Sequence, residues 1–368
     1  MAIGLGKQQN MLIIRGFTEK SPVRISHGQA AFSQHFVMIR IESFITPLTI
    51  KGMVFMNNSK ELAALVCDPM DSYLMEGFAS SGIKVSYDPA ITPDELGRKV
   101  KDYDIIVVRS RTKLTGDIIS RAGRLKIIAR AGIGTDNIDL ESAEKRKIEI
   151  VTAAGSSTDS VAELNVALAV DLARKIPLLN QRSKKGVWVK DTGTELHGKV
   201  AGIIGFGRIG QATAQILRSM GMDIVAYDPV KNDEAIRAVG GKYVSMEDLF
   251  RNSDVIFVLA AFSGDSGGMI GKNHFSISKH GLLIVNTSRA QFINGPNLLD
   301  ALREGQIGGY ATDVFWHEPP EEEWEREIAS MDSVIATPHI GAQTAEAQKR
   351  VARYTLQNLL DRIQVMKL

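Results

Sequence analysis

Cysteine is nearly missing: Cys67 is the only one in 368 residues. A lone thiol excludes an intramolecular disulfide, so the core must hold the fold, and a reducing compartment, the cytoplasm, is expected. The simplest place for that thiol is a buried strand position. Long hydrophobic runs are missing too. No stretch approaches the roughly 20 apolar residues that a membrane span needs, which removes the membrane as an expected partner. Neither sign of charge is in clear excess: the formal net is +2, so nothing calls for nucleic acid. No metal site is expected.

What is present is the composition of an ordinary globular protein, 44% hydrophobic and 23% charged, in a chain long enough for two domains. Residues 1–58 stand apart from it. They carry Lys7, Arg15, Lys20, Arg24, Arg40 and Lys51 against Glu19 and Glu42, show no sustained period, and lack a secretory pattern. They read as a non-core extension, with Met53 and Met56 as candidate starts.

From Ala63 the pattern is regular. Short apolar runs at 63–67, 83–87, 104–108, 125–129 and 148–152 alternate with helix-length segments, which argues a parallel sheet with helices on both faces. A longer helix is expected from Ser160, capped by Ser160 and Glu163 and ended by Pro177. It is apolar nearly all round and so should be buried on several sides; on this ground a homodimer is expected. Further strands follow at 200–204, 224–227, 255–259, 282–286, 309–314 and 334–337, and a last amphipathic helix at 344–366.

The most informative stretch is Lys199 to Pro229. An apolar strand turns through Gly205, Gly207 and Gly210, enters a helix with apolar residues at Ile209, Ala212, Ile216, Leu217 and Met220, stops at Gly221, and returns as a strand ending on Asp228. Gly205 allows the tight turn, Gly207 lets backbone approach a pyrophosphate, and Gly210 lets helix and strand pack closely. The helix N-terminus offers free N–H groups to that pyrophosphate. Asp228 would accept from the ribose hydroxyls and repel a 2′-phosphate, so NAD is the expected cofactor.

NAD chemistry asks the protein to hold the substrate's charge, move a proton and orient the nicotinamide. Arg289, Glu318 and His339 each follow a strand of this region, on the edge where open α/β sheets bind ligands. In the preceding region Arg109, Ser110, Arg111, Lys113 and Arg130 gather positive charge and a hydroxyl at two strand ends, suited to a phosphate. Arg111 and Lys113 are expected to point to water. Backbone N–H groups of Gly132, Ile133 and Gly134 could hold a carboxylate.

The motifs VVRSRTKLTGDII, ARAGIGTDNIDL, SVAELNVAL, GIIGFGRIG with Asp228, VNTSR, TDVFWHEP and TPHIGAQTAEAQ together resemble the D-2-hydroxyacid dehydrogenase family, most of all its phosphoglycerate dehydrogenase branch in the short form without a regulatory domain. The resemblance implies two Rossmann-like doubly wound parallel-sheet α/β domains, the dinucleotide-binding one (155–340) inserted into a substrate-binding one (59–154 and 341–368), with the substrate between them. It implies that Arg289 clamps the carboxylate and carbonyl oxygen of a 2-keto acid, that His339 exchanges the proton, and that Glu318 holds the other ring nitrogen. Asp313 resembles the position that holds the nicotinamide carboxamide. Arg208, Ile209, Ala260, Thr287, Ser288, His339, Gly341 and Ala342 would also line the cofactor, and Arg109, Ser110 and Arg130 the substrate phosphate. The chain departs from the family pattern at Leu259-Ala260-Ala261 and the glycine-rich 263–268 that follows, where His-x-Pro is usual, and at Ala290, Ile133 and Ala154. The activity implied is oxidation of a small D-2-hydroxy acid, 3-phosphoglycerate to 3-phosphohydroxypyruvate first. The alternatives are a glyoxylate or hydroxypyruvate reductase and, in another class, an NAD-sensing corepressor-like interaction protein.

Overall fold

The computed structural model describes residues 61–262 and 266–368. The extension expected over 1–58, and Ser263, Gly264 and Asp265 of the glycine-rich loop, lie outside the described residues.

Two all-parallel sheets organise the rest. The first holds β1 (Ala63–Val66), β2 (Lys84–Tyr87), β3 (Ile105–Val108), β4 (Ile127–Arg130) and β5 (Glu149–Thr152) in the order β2-β1-β3-β4-β5. Alternation along each strand sends its side chains to opposite faces. Val66, Ile105, Val107 and Ala129 meet Leu74 and Phe78 of α1 (Ser72–Ser80) on one face. Leu65, Ile106, Val108 and Ile128 meet α2 (Pro93–Lys99), α3 (Gly116–Arg121) and α4 (Leu140–Lys145) on the other. Cys67 is buried at the end of β1, and burial pushes its thiol well above the usual range.

Next come α5 (Thr158–Arg174) and α6 (Ile176–Lys184). The second sheet follows, with β6 (Val200–Ile204), α7 (Arg208–Ser219), β7 (Asp223–Tyr227), α8 (Asp233–Ala238), β8 (Lys242–Tyr243), α9 (Met246–Asn252) and β9 (Val255–Val258). After it run α10 (Lys272–Ile277), β10 (Leu282–Asn286), α11 (Gly295–Arg303), β11 (Ile307–Thr312), α12 (Glu323–Ser330), β12 (Val334–Ala336) and α13 (Ala345–Met366). Strand order is β12-β11-β10-β9-β6-β7-β8, reversing at the β9/β6 junction. Leu168 and Leu172 of α5 and Ala214 and Leu217 of α7 cover one face; Leu249, Leu298 and Leu302 belong to the core on the other. Helix α13 does not join this sheet. Its Val351, Ala352, Leu356, Leu359 and Ile363 pack on the first sheet, beside α1. The chain therefore crosses between sheets twice, after β5 and after β12.

Three expectations are corrected. Helix α5 begins at Thr158 with Ser157 at its cap and no side-chain cap bond; Ser160 donates instead to the Gly341 carbonyl at 2.6 Å, a tertiary bond that outweighs the local capping box. Pro177 does not end α5. The helix closes on Lys175 in left-handed backbone, φ 53°, and Pro177 sits in the first turn of α6, where a missing N–H costs nothing. On α7 the buried face is Gly210, Thr213, Ala214 and Leu217, with Ile209 and Ile216 only half-buried, because α5 and the sheet demand small residues where helix and strand meet.

Candidate active site

Register puts the site residues in one row. Ile204, Val258, Asn286, Thr312 and Ala336 are partners across β6, β9, β10, β11 and β12. Gly205, Leu259, Thr287, Asp313 and Thr337 follow them, on the carboxyl edge beside the β9/β6 reversal where ligands bind in such sheets.

The three glycines differ as the sequence implies. Gly205 is left-handed, φ 94°, and a Cβ there would overlap the backbone of Ala260. A Cβ on Gly210 would overlap the Gly205 carbonyl oxygen. Gly207 caps α7 with no side-chain bond, and a Cβ on it would meet nothing within 4 Å among the described residues. The turn thus leaves open space in front of uncapped helical N–H groups, which fits a pyrophosphate. Asp228 lies at the far side of the turn. Its Oδ2 accepts from Phe206 N at 2.7 Å and its Oδ1 from Val230 N at 2.8 Å, so the carboxylate also braces the glycine loop. Arg208 is exposed beside Gly155.

After β10 the chain is fixed by amides. Asn286 Oδ1 accepts from Ser288 N at 3.0 Å and its Nδ2 donates to the Arg289 carbonyl at 3.0 Å. Ser288 Oγ donates to the Ala260 carbonyl. Thr287 Oγ1 donates at 2.7 Å to Oδ1 of Asn165, whose Nδ2 donates at 3.1 Å to Thr213. Asn165 is fully buried and ties α5 and α7 to the site.

After β11 and β12, Asp313 and His339 are built together. Asp313 is buried; Oδ1 accepts from Thr337 Oγ1 and Ile340 N, and Oδ2 from Gly341 N, at 2.6 to 2.7 Å. These bonds hold the loop in which His339 adopts φ 55°. Nδ1 of His339 is 3.0 Å from Glu318 Oε2. An ionised carboxylate only accepts, so Nδ1 carries the hydrogen and Nε2 is the ring nitrogen left over. Partial burial raises the Glu318 carboxyl, but the His339 bond and charge, the Phe315 N–H and Arg289 outweigh it and hold the group below its ordinary value. The neighbouring His317 pairs instead with buried Glu325 at 3.0 Å.

One cleft of about 420 Å³ is lined by Ile209, Ala260, Thr287, Ser288, Arg289 and Asp313 from the second sheet, with His339, Gly341 and Ala342 beside them. Arg109, Ser110, Arg130, Gly132, Ile133 and Gly134 face it from the first sheet. Glu318 stands behind His339; Gly205, Gly207, Gly210, Arg208 and Asp228 are not part of this lining. Arg109 donates to Gln348 Oε1 at 2.8 Å. Among the described residues Arg130 reaches only the Ala131 carbonyl, at 3.3 Å, and its buried Nε has no partner; burial, then the Arg289 and Arg109 charges, bring its guanidinium down to about 10. Two expectations fail here. Arg111 does not point to water alone: it binds Asp68 at 2.9 Å and the carbonyls of Cys67 and Pro89 at 2.6 and 2.7 Å, pinning the strand ends. Gly132 N is consumed by the Arg130 carbonyl at 2.8 Å, so only Ile133 and Gly134 can offer N–H groups. Asp136, which sequence reasoning passed over as an ordinary loop acid, binds Arg289 Nη2 at 2.5 Å and Nε at 3.1 Å.

Comparison with known proteins fits this geometry. Residues 166–341 match the family described as D-isomer specific 2-hydroxyacid dehydrogenase, NAD binding domain. D-3-phosphoglycerate dehydrogenase of Archaeoglobus fulgidus is 37% identical over 302 residues, 82% of this chain and 57% of that one, so the chain spans little more than half of that relative. Hydroxypyruvate reductase of Thermotoga maritima is 42% identical over 260 residues, 70% of this chain and 84% of that one. D-lactate dehydrogenase of Aquifex aeolicus, solved with NAD and lactic acid, superposes with a TM-score of 0.73 at 27% identity, over 83% of this chain and 96% of that one. The chain belongs to the family of NAD-dependent D-2-hydroxyacid dehydrogenases.

Proposed function

We propose that this chain interconverts a D-2-hydroxy acid and its 2-keto acid, with 3-phosphoglycerate as the substrate. The reading is carried by one observation: the Glu318–His339 pair, at 3.0 Å, and Arg289 serve the same cleft. The open turn at Gly207, the α7 N-terminus and Asp228 would hold NAD, with Thr287, Ser288 and Asp313 toward the nicotinamide. Bound NAD supplies the hydride carrier. Arg289 takes the carboxylate and carbonyl oxygen through its fork of donors. His339 gives its Nε2 proton to that oxygen in reduction and takes it back in oxidation. Glu318 accepts from Nδ1, which fixes the tautomer and the orientation of the ring.

Arg109 and Arg130 support a phosphate. Neither guanidinium is bonded to a carboxylate among the described residues, so two positive charges face the cleft without a counterion. The Thermotoga maritima relative favours a second reading, hydroxypyruvate or glyoxylate reduction, whereas the assembled Arg289, Glu318 and His339 speak against a merely NAD-sensing protein. A panel of 3-phosphohydroxypyruvate, hydroxypyruvate and glyoxylate, followed by NADH absorbance, decides between them. The highest kcat/KM is expected for the phosphorylated acid; a higher value for either other acid removes the phosphate assignment.

We assign residues 59–154 with 341–368 to substrate binding and 155–340 to NAD binding. The protein is proposed to work as a homodimer in the reducing cytoplasm, where a lone buried thiol is at home. Exposed Ile176 opens α6, and exposed Val187, Trp188 and Val189 follow its end; they supply the apolar surface for the second copy.

A further inference from the structure

We propose that Asp136 is a positioning residue that sets which edge of the Arg289 guanidinium faces the substrate, and that Gly134 exists in its present form to let the two meet. The inference rests on the reading of Arg289 as the substrate clamp.

The pair joins two parts of the fold. Asp136 follows β4 in the first sheet and Arg289 follows β10 in the second, 153 positions apart. One oxygen, Asp136 Oδ2, accepts from both Nε and Nη2. An acceptor shared by those two atoms can only lie on the edge they form, so the remaining Nη2 hydrogen points along the Nη1/Nη2 edge. Nη1 is steadied by the Ser288 carbonyl at 2.7 Å. Three of the five donor hydrogens are therefore used, and two are left for a ligand. A free arginine can offer either edge; this one has a single edge committed to the protein.

Gly134 provides the second observation. Its backbone is not left-handed, so no conformational demand calls for glycine. A Cβ there would overlap Arg289 Nη2 and stand 2.7 Å from Asp136 Oδ2. The missing side chain is thus needed for the ion pair itself. The carboxylate has a further effect on the charge of the cleft. It offsets one of three guanidiniums, Arg109, Arg130 and Arg289, so that the uncompensated positive charge lies toward Arg109 and Arg130. Burial raises the Asp136 carboxyl and the Arg289 bonds outweigh it, keeping the group below its ordinary value and ionised at neutral pH.

The test uses the full chain and its variants Asp136→Ala, Asp136→Asn, Asp136→Glu, Arg289→Ala and the Asp136→Ala/Arg289→Ala pair. It measures kcat and KM for keto-acid reduction, NADH affinity by fluorescence, and binding of oxamate to the NADH-loaded protein. Loss of alignment predicts that Asp136→Ala lowers kcat/KM roughly 10- to 100-fold, mainly through kcat, with NADH affinity within about twofold. Asp136→Asn, which keeps an acceptor oxygen, recovers part of the loss. In the Arg289→Ala background the same change has no further effect on oxamate affinity. If Asp136→Ala matches the parent, or if NADH affinity falls in step with kcat/KM, the positioning role is overturned while the enzyme remains. If the parent itself neither turns over a keto acid nor binds oxamate, the proposed function falls first and carries this inference with it.

Discussion

The residues proposed to do chemistry here are legible because each follows a run of apolar strand residues. Arg289 follows LLIVN, and Glu318 and His339 follow the two neighbouring strands. What the chain does not spell out is their support. Asp136 is one of many loop acids, and its importance comes from Arg289, 153 positions away. Asn165 sits in an apolar helix where an amide looks like a blemish, yet it bonds Thr213 and Thr287. Glu318 is held below its ordinary value of 4.5, so it is ionised at neutral pH and loses its charge only as the pH falls through that lowered value. Once protonated it no longer holds Nδ1 of His339 as a carboxylate does, so kcat/KM of the parent should fall at acid pH. The Glu318→Gln variant should lack this acid limb in a pH profile of kcat/KM. An unchanged acid limb would detach Glu318 from the proton step. Replacing His339 by Gln should lower kcat by roughly 10² to 10⁴ at every pH.

At the scale of elements, the glycine turn before α7 gives two opposite expectations for one chemical change. Gly207→Ala adds a methyl to open space at an ordinary backbone angle. It should leave the melting temperature near the parent's and weaken NADH roughly tenfold or more, because the methyl takes room needed by the phosphates. Gly210→Ala puts its methyl into the Gly205 carbonyl and should cost about 1–3 kcal/mol of stability. Calorimetry beside NADH titration separates the two; equal losses of stability would refute the division of labour. Eleven of the strands were expected from short apolar runs, and both sheets with them. The two-residue β8 has too little sequence to carry a period. The start of α5 was misplaced for another reason: Ser160 has the right local pattern for a cap, but the carbonyl of Gly341, 181 positions later, takes its hydroxyl. Tertiary partners of this kind leave no local trace.

For the whole molecule, the apolar surface at the two ends of α6 makes the assembly testable. Trp188 is 84% exposed. Sedimentation should show the parent as a dimer and Trp188→Asp shifted toward monomer, with loss of activity if the second copy steadies the cleft; a monomeric parent would end the proposal. The two crossings between the sheets have a consequence of their own. Ser160 bonds Gly341, and Arg350 bonds the Ser156 carbonyl at 2.9 Å, so both connections run side by side and are stitched together. Like a door on one pair of adjacent knuckles, a chain joined this way would turn about a single line rather than in all directions. His339 lies two residues from that line, whereas Arg109 and Arg130 lie out on the first sheet. A rotation about it would carry the two arginines through the wider arc and leave His339 almost where it is.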